Sequence, residues 1–150
     1  MKVWLCLCIL LPHLAHAALG ENVSSVEHDR QSLHALAVPG NSVLSKSLLF
    51  SVFVMQVNGE TIKEFADASG MVFAISWHGD VHPPLEPLLG RYFPYFAVQD
   101  ALTPRGRRYP IMPIRTQGIT VQRGGHLYDF RGLAILNSKL PSGVTEDDLL

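Results

Sequence analysis

Cysteine is almost absent from this sequence of 150 residues, because its two cysteines, Cys6 and Cys8, both lie within the first 17 residues. The rest of the chain therefore excludes a disulfide scaffold, a cysteine-ligated metal site and a cysteine nucleophile. An excess of one charge is also missing: beyond residue 17, 11 Lys and Arg stand against 13 Asp and Glu. This balance excludes a globally basic nucleic-acid binder, and we expect no nucleic-acid partner.

Three common signatures of catalysis or cofactor binding are missing as well. The sequence contains no Gly-x-Ser-x-Gly elbow, no phosphate-binding loop ending in Gly-Lys and no dinucleotide fingerprint. We therefore expect no cofactor, and no enzyme class is indicated. Long hydrophobic runs are also lacking, since the apolar run at residues 3–11 ends at Pro12, far short of the roughly 18 to 20 residues that cross a bilayer.

The first 17 residues have the pattern of a secretory signal peptide. Lys2 supplies a positive start, residues 3–11 are apolar, and Ala15-His16-Ala17 places small residues at the two positions that a signal peptidase reads. We predict cleavage before Ala18. Residues 18–150 are then an exported protein, periplasmic or extracellular, with no transmembrane anchor in the mature chain.

Local patterns predict an N-terminal helix followed by three strands. Ser24-Ser25-Val26-Glu27 has the spacing of a capping box, and Pro39-Gly40 would end the helix that it starts. Asn58-Gly59 is a strong signal for a two-residue type I′ hairpin, so a three-stranded antiparallel meander is expected. Its strands would be residues 48–57, 60–67 and 71–77, the last with Met71, Phe73, Ile75 and Trp77 on one inward face.

The second half of the chain predicts a kinked helix and a further hairpin. Apolar residues recur at steps of three and four over residues 85–96, interrupted by Gly90 and Pro94. Residues 119–123 and 126–131 would form strands on either side of Gly124-Gly125, and the acidic tail after Pro141 would be loosely held. The fold class is therefore α+β. A single domain over residues 18–150 would hold an antiparallel sheet of about five strands, covered on one face.

Several segments together resemble the DUF2844 family of small exported proteins of Gram-negative bacteria. The segments are residues 18–20 (ALG), 69–77 (SGMVFAISW), 88–94 (LLGRYFP), 124–126 (GGH) and 140–144 (LPSGV). The resemblance implies a periplasmic or secreted bacterial protein. It implies no catalytic residue, because the family is of unknown function. One departure is that the family tends to have Gly-Pro soon after the tryptophan, whereas His78 and Gly79 follow Trp77 here.

His78, Asp80 and His82 form one candidate metal site. Their spacing of two residues would project all three to one side of an extended strand, where two imidazoles and a carboxylate could hold a divalent ion with a fourth position open. Gly79 and Pro83-Pro84 favour a turn instead, which would scatter these side chains into solvent.

Basic residues concentrate between positions 105 and 131, where only Asp129 opposes them. Arginine suits bidentate capture of carboxylate or phosphate, so this segment could contact an envelope macromolecule or an acidic protein partner. The arginines are Arg105, Arg107, Arg108, Arg115, Arg123 and Arg131. His126, directly after Gly124-Gly125, is a candidate ligand contact. The alternatives are a solvated loop for the arginines and a bond to a neighbouring carbonyl for His126.

Two hypotheses of different classes follow from these observations. The first is a non-enzymatic exported protein, a binding or envelope-accessory module with a partner at the arginine-rich segment. The second is a small metal-dependent hydrolase built on His78, Asp80 and His82. The missing nucleophile and cofactor motifs favour the first.

Overall fold

The protein is one antiparallel sheet with helices on one face, seen in a computed structural model that describes residues 19–37, 43–45, 49–103 and 112–150. Its strands are β1 (Leu36–Ala37), β2 (Val43–Ser45), β3 (Phe50–Val57), β4 (Glu60–Asp67), β5 (Val72–Gly79), β6 (Ile114–Thr116), β7 (Ile119–His126) and β8 (Asp129–Leu136). The strand order is β1-β3-β4-β5-β8-β7-β6, and β2 also pairs with β3. The antiparallel sheet and its helices confirm the α+β prediction. Five of the strands have eight residues each, as many strands as predicted, and three short strands extend the sheet.

The predicted meander is present as β3, β4 and β5. Asn58 and Gly59 both have positive φ, 49° and 86°, as a type I′ turn requires, and Val57 pairs with Glu60 across it. At the next turn Asp67 Oδ1 accepts hydrogen bonds from the backbone N–H groups of Ser69 (2.8 Å) and Met71 (3.0 Å). Local turn chemistry therefore sets this part of the fold.

The prediction that Phe73, Ile75 and Trp77 share one face is wrong for Phe73. The β4–β5 pairing shifts between Phe65 and Ala66, where a bulge interrupts the regular alternation. Ile75 and Trp77 lie in the core on the helix side of the sheet, whereas Phe73 lies in the core on the other side. All three are buried.

The C-terminal hairpin turns three residues later than predicted. Gly124 and Gly125 lie inside the ladder, paired with Arg131 and Phe130, and the turn is at Leu127-Tyr128. A Cβ on Gly125 would stand 2.1 Å from the backbone oxygen of Asp129, so this glycine permits close strand approach rather than a turn.

The helices differ from the prediction at the N-terminus and agree with it in the middle of the chain. A 3₁₀ turn (Val23–Ser25) leads into α1 (Val26–Ser32), which ends where His34 adopts a φ of 52°. The chain then forms β1, so the predicted helix is too long. The Ser25 side chain makes no cap bond, and Asn22 caps the turn instead. The predicted kink is present: α2 (Leu85–Leu89) and α3 (Phe93–Leu102) are separated by a 3₁₀ turn at Gly90–Tyr92.

Both faces of the sheet carry buried apolar clusters. The larger cluster lies under α1, α2 and α3 and includes Trp77 and Phe96. The smaller one, on the reverse face, is built around Phe65, Phe73 and Leu133. Leu149, in a 3₁₀ turn at Glu146–Leu149, is fully buried in this second cluster. The expectation of a loosely held tail and of a sheet covered on one face is therefore wrong, because the tail covers part of the reverse face.

Candidate functional site: a basic groove on the reverse face of the sheet

Polar side chains occupy the part of the reverse face that the tail leaves open. Strand pairing places Thr61, His78 and Arg131 side by side on β4, β5 and β8. The next row along the same strands holds Lys63, Ser76 and Leu133. Since every second residue of a strand faces the same side, these residues share one surface with the apolar row that follows at Phe65. We call Thr61, Lys63, Ser76, His78 and Arg131 the basic groove.

The basic groove borders a cavity of about 320 Å³, which Trp77 and Leu150 also line. A second cavity of about 270 Å³ shares Arg131 and Leu150 with the first and extends towards Gln122 and Gly124. The two cavities are therefore neighbours around the Arg131 side chain. Together they form a concave surface, which is the shape that ligand sites prefer.

The carboxylate of Asp129 orients two side chains of the groove, His78 and Arg131. Asp129 Oδ1 lies 2.9 Å from His78 Nε2, and Asp129 Oδ2 accepts a hydrogen bond from Arg131 Nη2 at 3.0 Å. The hydrogen bond from His78, and then those from Arg131, hold the pKa of Asp129 below its ordinary value. His78 and Arg131 are 66% and 60% exposed, so both side chains remain accessible from solvent.

Lys63 brings a second permanent cation to the groove. Its Nζ donates a hydrogen bond to the backbone oxygen of Leu150 at 3.1 Å. Further along the same face, Gln122 Nε2 donates to Glu146 Oε2 at 2.6 Å. The tail therefore lies along the border of the groove, and the ammonium of Lys63 already holds an oxygen acceptor there.

The candidate metal residues are not brought together. His78 lies in the basic groove, but His82 lies on the helix side of the sheet, where its Nδ1 accepts a hydrogen bond from Trp77 Nε1 at 3.1 Å. The His82 ring also packs on Phe130, with ring centroids 4.8 Å apart. Burial, and then Arg123, lower the pKa of His82. Asp80 is exposed beside the β3–β4 turn, and no group of three metal-ligating side chains occurs among the residues that the structure describes.

Of the candidate arginines, Arg123 and Arg131 both line the second cavity. Arg123 forms an ion pair with Asp100 of α3, and its guanidinium carbon lies 5.5 Å from the centre of the Phe96 ring. This side chain ties β7 to α3. Arg115 is exposed on β6, and His126 is exposed at the end of β7 opposite Asp129. Arg105, Arg107 and Arg108 lie outside the described residues.

Sequence reasoning missed Lys63, Thr61 and Ser76 as site residues. Each is a single polar residue in an ordinary strand, and no motif marks it. The alternation of the strands would have placed each on a face, but the strand order puts β4 and β8 on opposite sides of β5, and the register aligns their residues. The β5–β8 pairing joins strands that are far apart in the chain, so no local pattern reveals it.

Comparison with known proteins identifies a family and no activity. A family model described as a protein of unknown function (DUF2844) matches residues 15–149. No curated protein and no solved structure matches the chain. Among the described ranges, no helix is both long and apolar enough to cross a membrane.

Proposed function

Since the chain belongs to the DUF2844 family of proteins of unknown function, we propose that it is an exported, non-enzymatic binding module that takes an anionic ligand in the basic groove. The observation that carries the proposal is the meeting of Lys63, His78 and Arg131 on one open strand surface beside a cavity of about 320 Å³.

The chemistry of the groove suits a ligand with carboxylate or phosphate groups. Arg131 offers a planar fork of donors, and Lys63 offers a compact charge on a flexible stem. The hydroxyls of Thr61 and Ser76 line the same cavity and can donate to further oxygens. Lys63 and Arg131 line the cavity, and none of the described residues that line it is acidic. Asp129 lies beside the cavity, and its hydrogen bonds orient His78 and Arg131.

The predicted export signal at residues 1–17 supports a ligand of the cell envelope. A polysaccharide with repeated carboxylates would offer acceptor oxygens to the donors of Lys63 and Arg131. Such polymers can occupy both adjacent cavities with successive sugar units. We propose an anionic polysaccharide as the ligand, in preference to an acidic protein.

The test is binding to polygalacturonate, a polymer of carboxylate sugars, measured by titration calorimetry with the chain from residue 18 onwards. The double variant Lys63→Gln/Arg131→Gln should bind at least about tenfold more weakly, since one hydrogen bond to a charged group contributes about 1.5 to 3 kcal/mol. Arg115→Gln is the matched control because it removes an exposed arginine of β6, at the edge of the sheet. It should change the dissociation constant less than about twofold.

Three results would overturn the proposal in whole or in part. Equal binding by the wild type and the double variant would remove the groove as the site. A wild type that binds neither polygalacturonate nor polyphosphate in low salt would remove anion binding altogether. Tighter binding to polyglutamate than to polygalacturonate would replace the polysaccharide with an acidic protein partner.

A further inference from the structure

Two carboxyl groups are buried between α1 and β4, on the helix side of the sheet. Asp29 lies on α1 and Glu64 on β4, and each is 1% exposed. Apart from their contact with each other, both oxygens of Asp29 and Oε1 of Glu64 have no hydrogen-bond partner among the described residues. Two buried carboxylates without a cation would be strongly destabilising, so the pair must hold a proton.

The surroundings of the pair are apolar. Glu64 lies between Phe53 and Ile75 on the neighbouring strands. Burial raises the pKa of Asp29, and the Glu64 carboxyl raises it further. Burial also raises the pKa of Glu64, and the hydrogen bond with Asp29 offsets part of that rise.

Burial and the partner carboxyl are the causes that shift the pKa of Asp29 and of Glu64. The other ionisable groups on the surrounding elements are Glu27, His28 and Arg30 on α1, Glu60, Lys63, Asp67 and His78 on β4 and β5, and Glu86 on α2. Arg30 binds Glu27 and the backbone oxygen of Ala35. Lys63 and His78 belong to the basic groove on the reverse face. Glu60 is itself buried, and burial raises its pKa, while Glu86 is exposed.

We propose that Asp29 and Glu64 are a pH-sensitive latch: a proton shared by the two carboxyls holds α1 on the sheet, and loss of that proton releases α1. The helix is only seven residues long. In the described part of the core it is anchored by the partly buried Val26 and, directly after its last residue, by Leu33. Asp29 is its one buried ionisable side chain in that part of the core. The carboxyl pair is therefore an important part of its attachment.

The direction of the switch follows from the raised pKa values. When α1 leaves the sheet, both carboxyls enter water and titrate near their ordinary values of 3.8 and 4.5. The docked state therefore keeps protons that the undocked state has lost. Docking is strongest below about pH 4 and weakens as pH rises, by about tenfold per pH unit for each proton retained only in the docked state.

Hydrogen exchange measured by mass spectrometry at pH 6 and pH 8.5, corrected for intrinsic rates, tests the latch. In the wild type, protection of residues 26–35 should fall at least tenfold relative to the β8 segment between these two pH values. The double variant Asp29→Asn/Glu64→Gln replaces both carboxyls with neutral amides, so its protection should change less than twofold. Each single variant keeps one buried carboxyl, so its protection should fall less than that of the wild type, and the single variants serve as the second test if the double variant does not fold.

Glu86→Gln is the matched control, because it removes an exposed carboxylate from the neighbouring α2, and it should show the wild-type loss of protection. The latch is overturned if α1 of the wild type keeps its protection at pH 8.5. It is also overturned if the folded Asn or Gln variant loses protection as much as the wild type does.

Discussion

The contact between Gly132 and Trp77 allows a sharp test of the packing on the helix side of the sheet. The two residues are directly opposite each other on β8 and β5. A Cβ on Gly132 would stand 2.0 Å from Cζ2 and 2.2 Å from Cε2 of the indole, against 3.4–4 Å for ordinary contact. Trp77 is 2% exposed, and its Nε1 donates to His82. Gly132→Ala must therefore displace the indole by more than 1 Å and break this hydrogen bond.

Two kinds of core substitution bracket the expected loss in the free energy of unfolding. Extra methylene groups in a packed core cost about 1 to 3 kcal/mol. Complete loss of the buried ring, as in Trp77→Ala, costs about 3 to 5 kcal/mol. Because the indole is both displaced and separated from His82, we expect Gly132→Ala to reduce the free energy of unfolding by about 3 kcal/mol or more, within a total stability of about 5 to 15 kcal/mol.

A double-mutant cycle separates this contact from a general sensitivity of β8. In the Trp77→Ala background the methyl group that Gly132→Ala adds enters the space of the missing ring, so this substitution should cost less than about 1 kcal/mol there. The measurement is urea denaturation followed by circular dichroism for the four proteins. A loss below about 1 kcal/mol in the wild-type background, or an equal loss in both backgrounds, would refute the reasoning.

Three further predictions concern the Asn58-Gly59 turn, the β7–β8 ladder and the export signal. Gly59→Val should destabilise the protein by more than about 1 kcal/mol in urea denaturation, since a β-branched residue is strained at positive φ, whereas Asn58→Gly should be mild; an unchanged midpoint for Gly59→Val would contradict the tight hairpin. Gly125→Ala should destabilise the protein by more than about 2 kcal/mol in the same assay, because its Cβ would overlap the Asp129 backbone, and an effect below about 0.5 kcal/mol would argue against this register. The intact mass of the exported protein should correspond to a chain that starts at Ala18, and retention of residues 1–17 would contradict export by a cleaved signal.

Features that depend on neighbouring residues in the chain could be predicted from the sequence alone. The Asn58-Gly59 turn is one, because only residues that tolerate positive φ fit there, whatever the rest of the fold does. The break between α2 and α3 is another, because Gly90 and Pro94 interrupt the helical pattern locally. The α+β class follows from the same local patterns, since a meander and a kinked amphipathic helix must bury their apolar faces against each other.

The candidate site depended on strand register, which local patterns do not determine. The turn at Leu127-Tyr128 has no Asn-Gly signal, so the glycines at 124 and 125 were the better local candidates and were wrong. The bulge opposite Phe65 and Ala66 places Phe73 on the other face, and no local pattern in the sequence marks this bulge either. With the register known, Thr61, His78 and Arg131 form one row, while His82 lies on the opposite side of the sheet.

The sequence by itself determined the predicted export signal, the Asn58-Gly59 turn and the fold class, because each is encoded within a window of residues adjacent in the chain. Only the tertiary structure decided which charges meet. Asp29 and Glu64 are 35 positions apart, and each occurs in a segment where a carboxylate would ordinarily face water. Their burial follows from where α1 packs on β4. The role of a charged side chain depends on the groups that surround it in space. That arrangement comes from packing between distant segments of the chain.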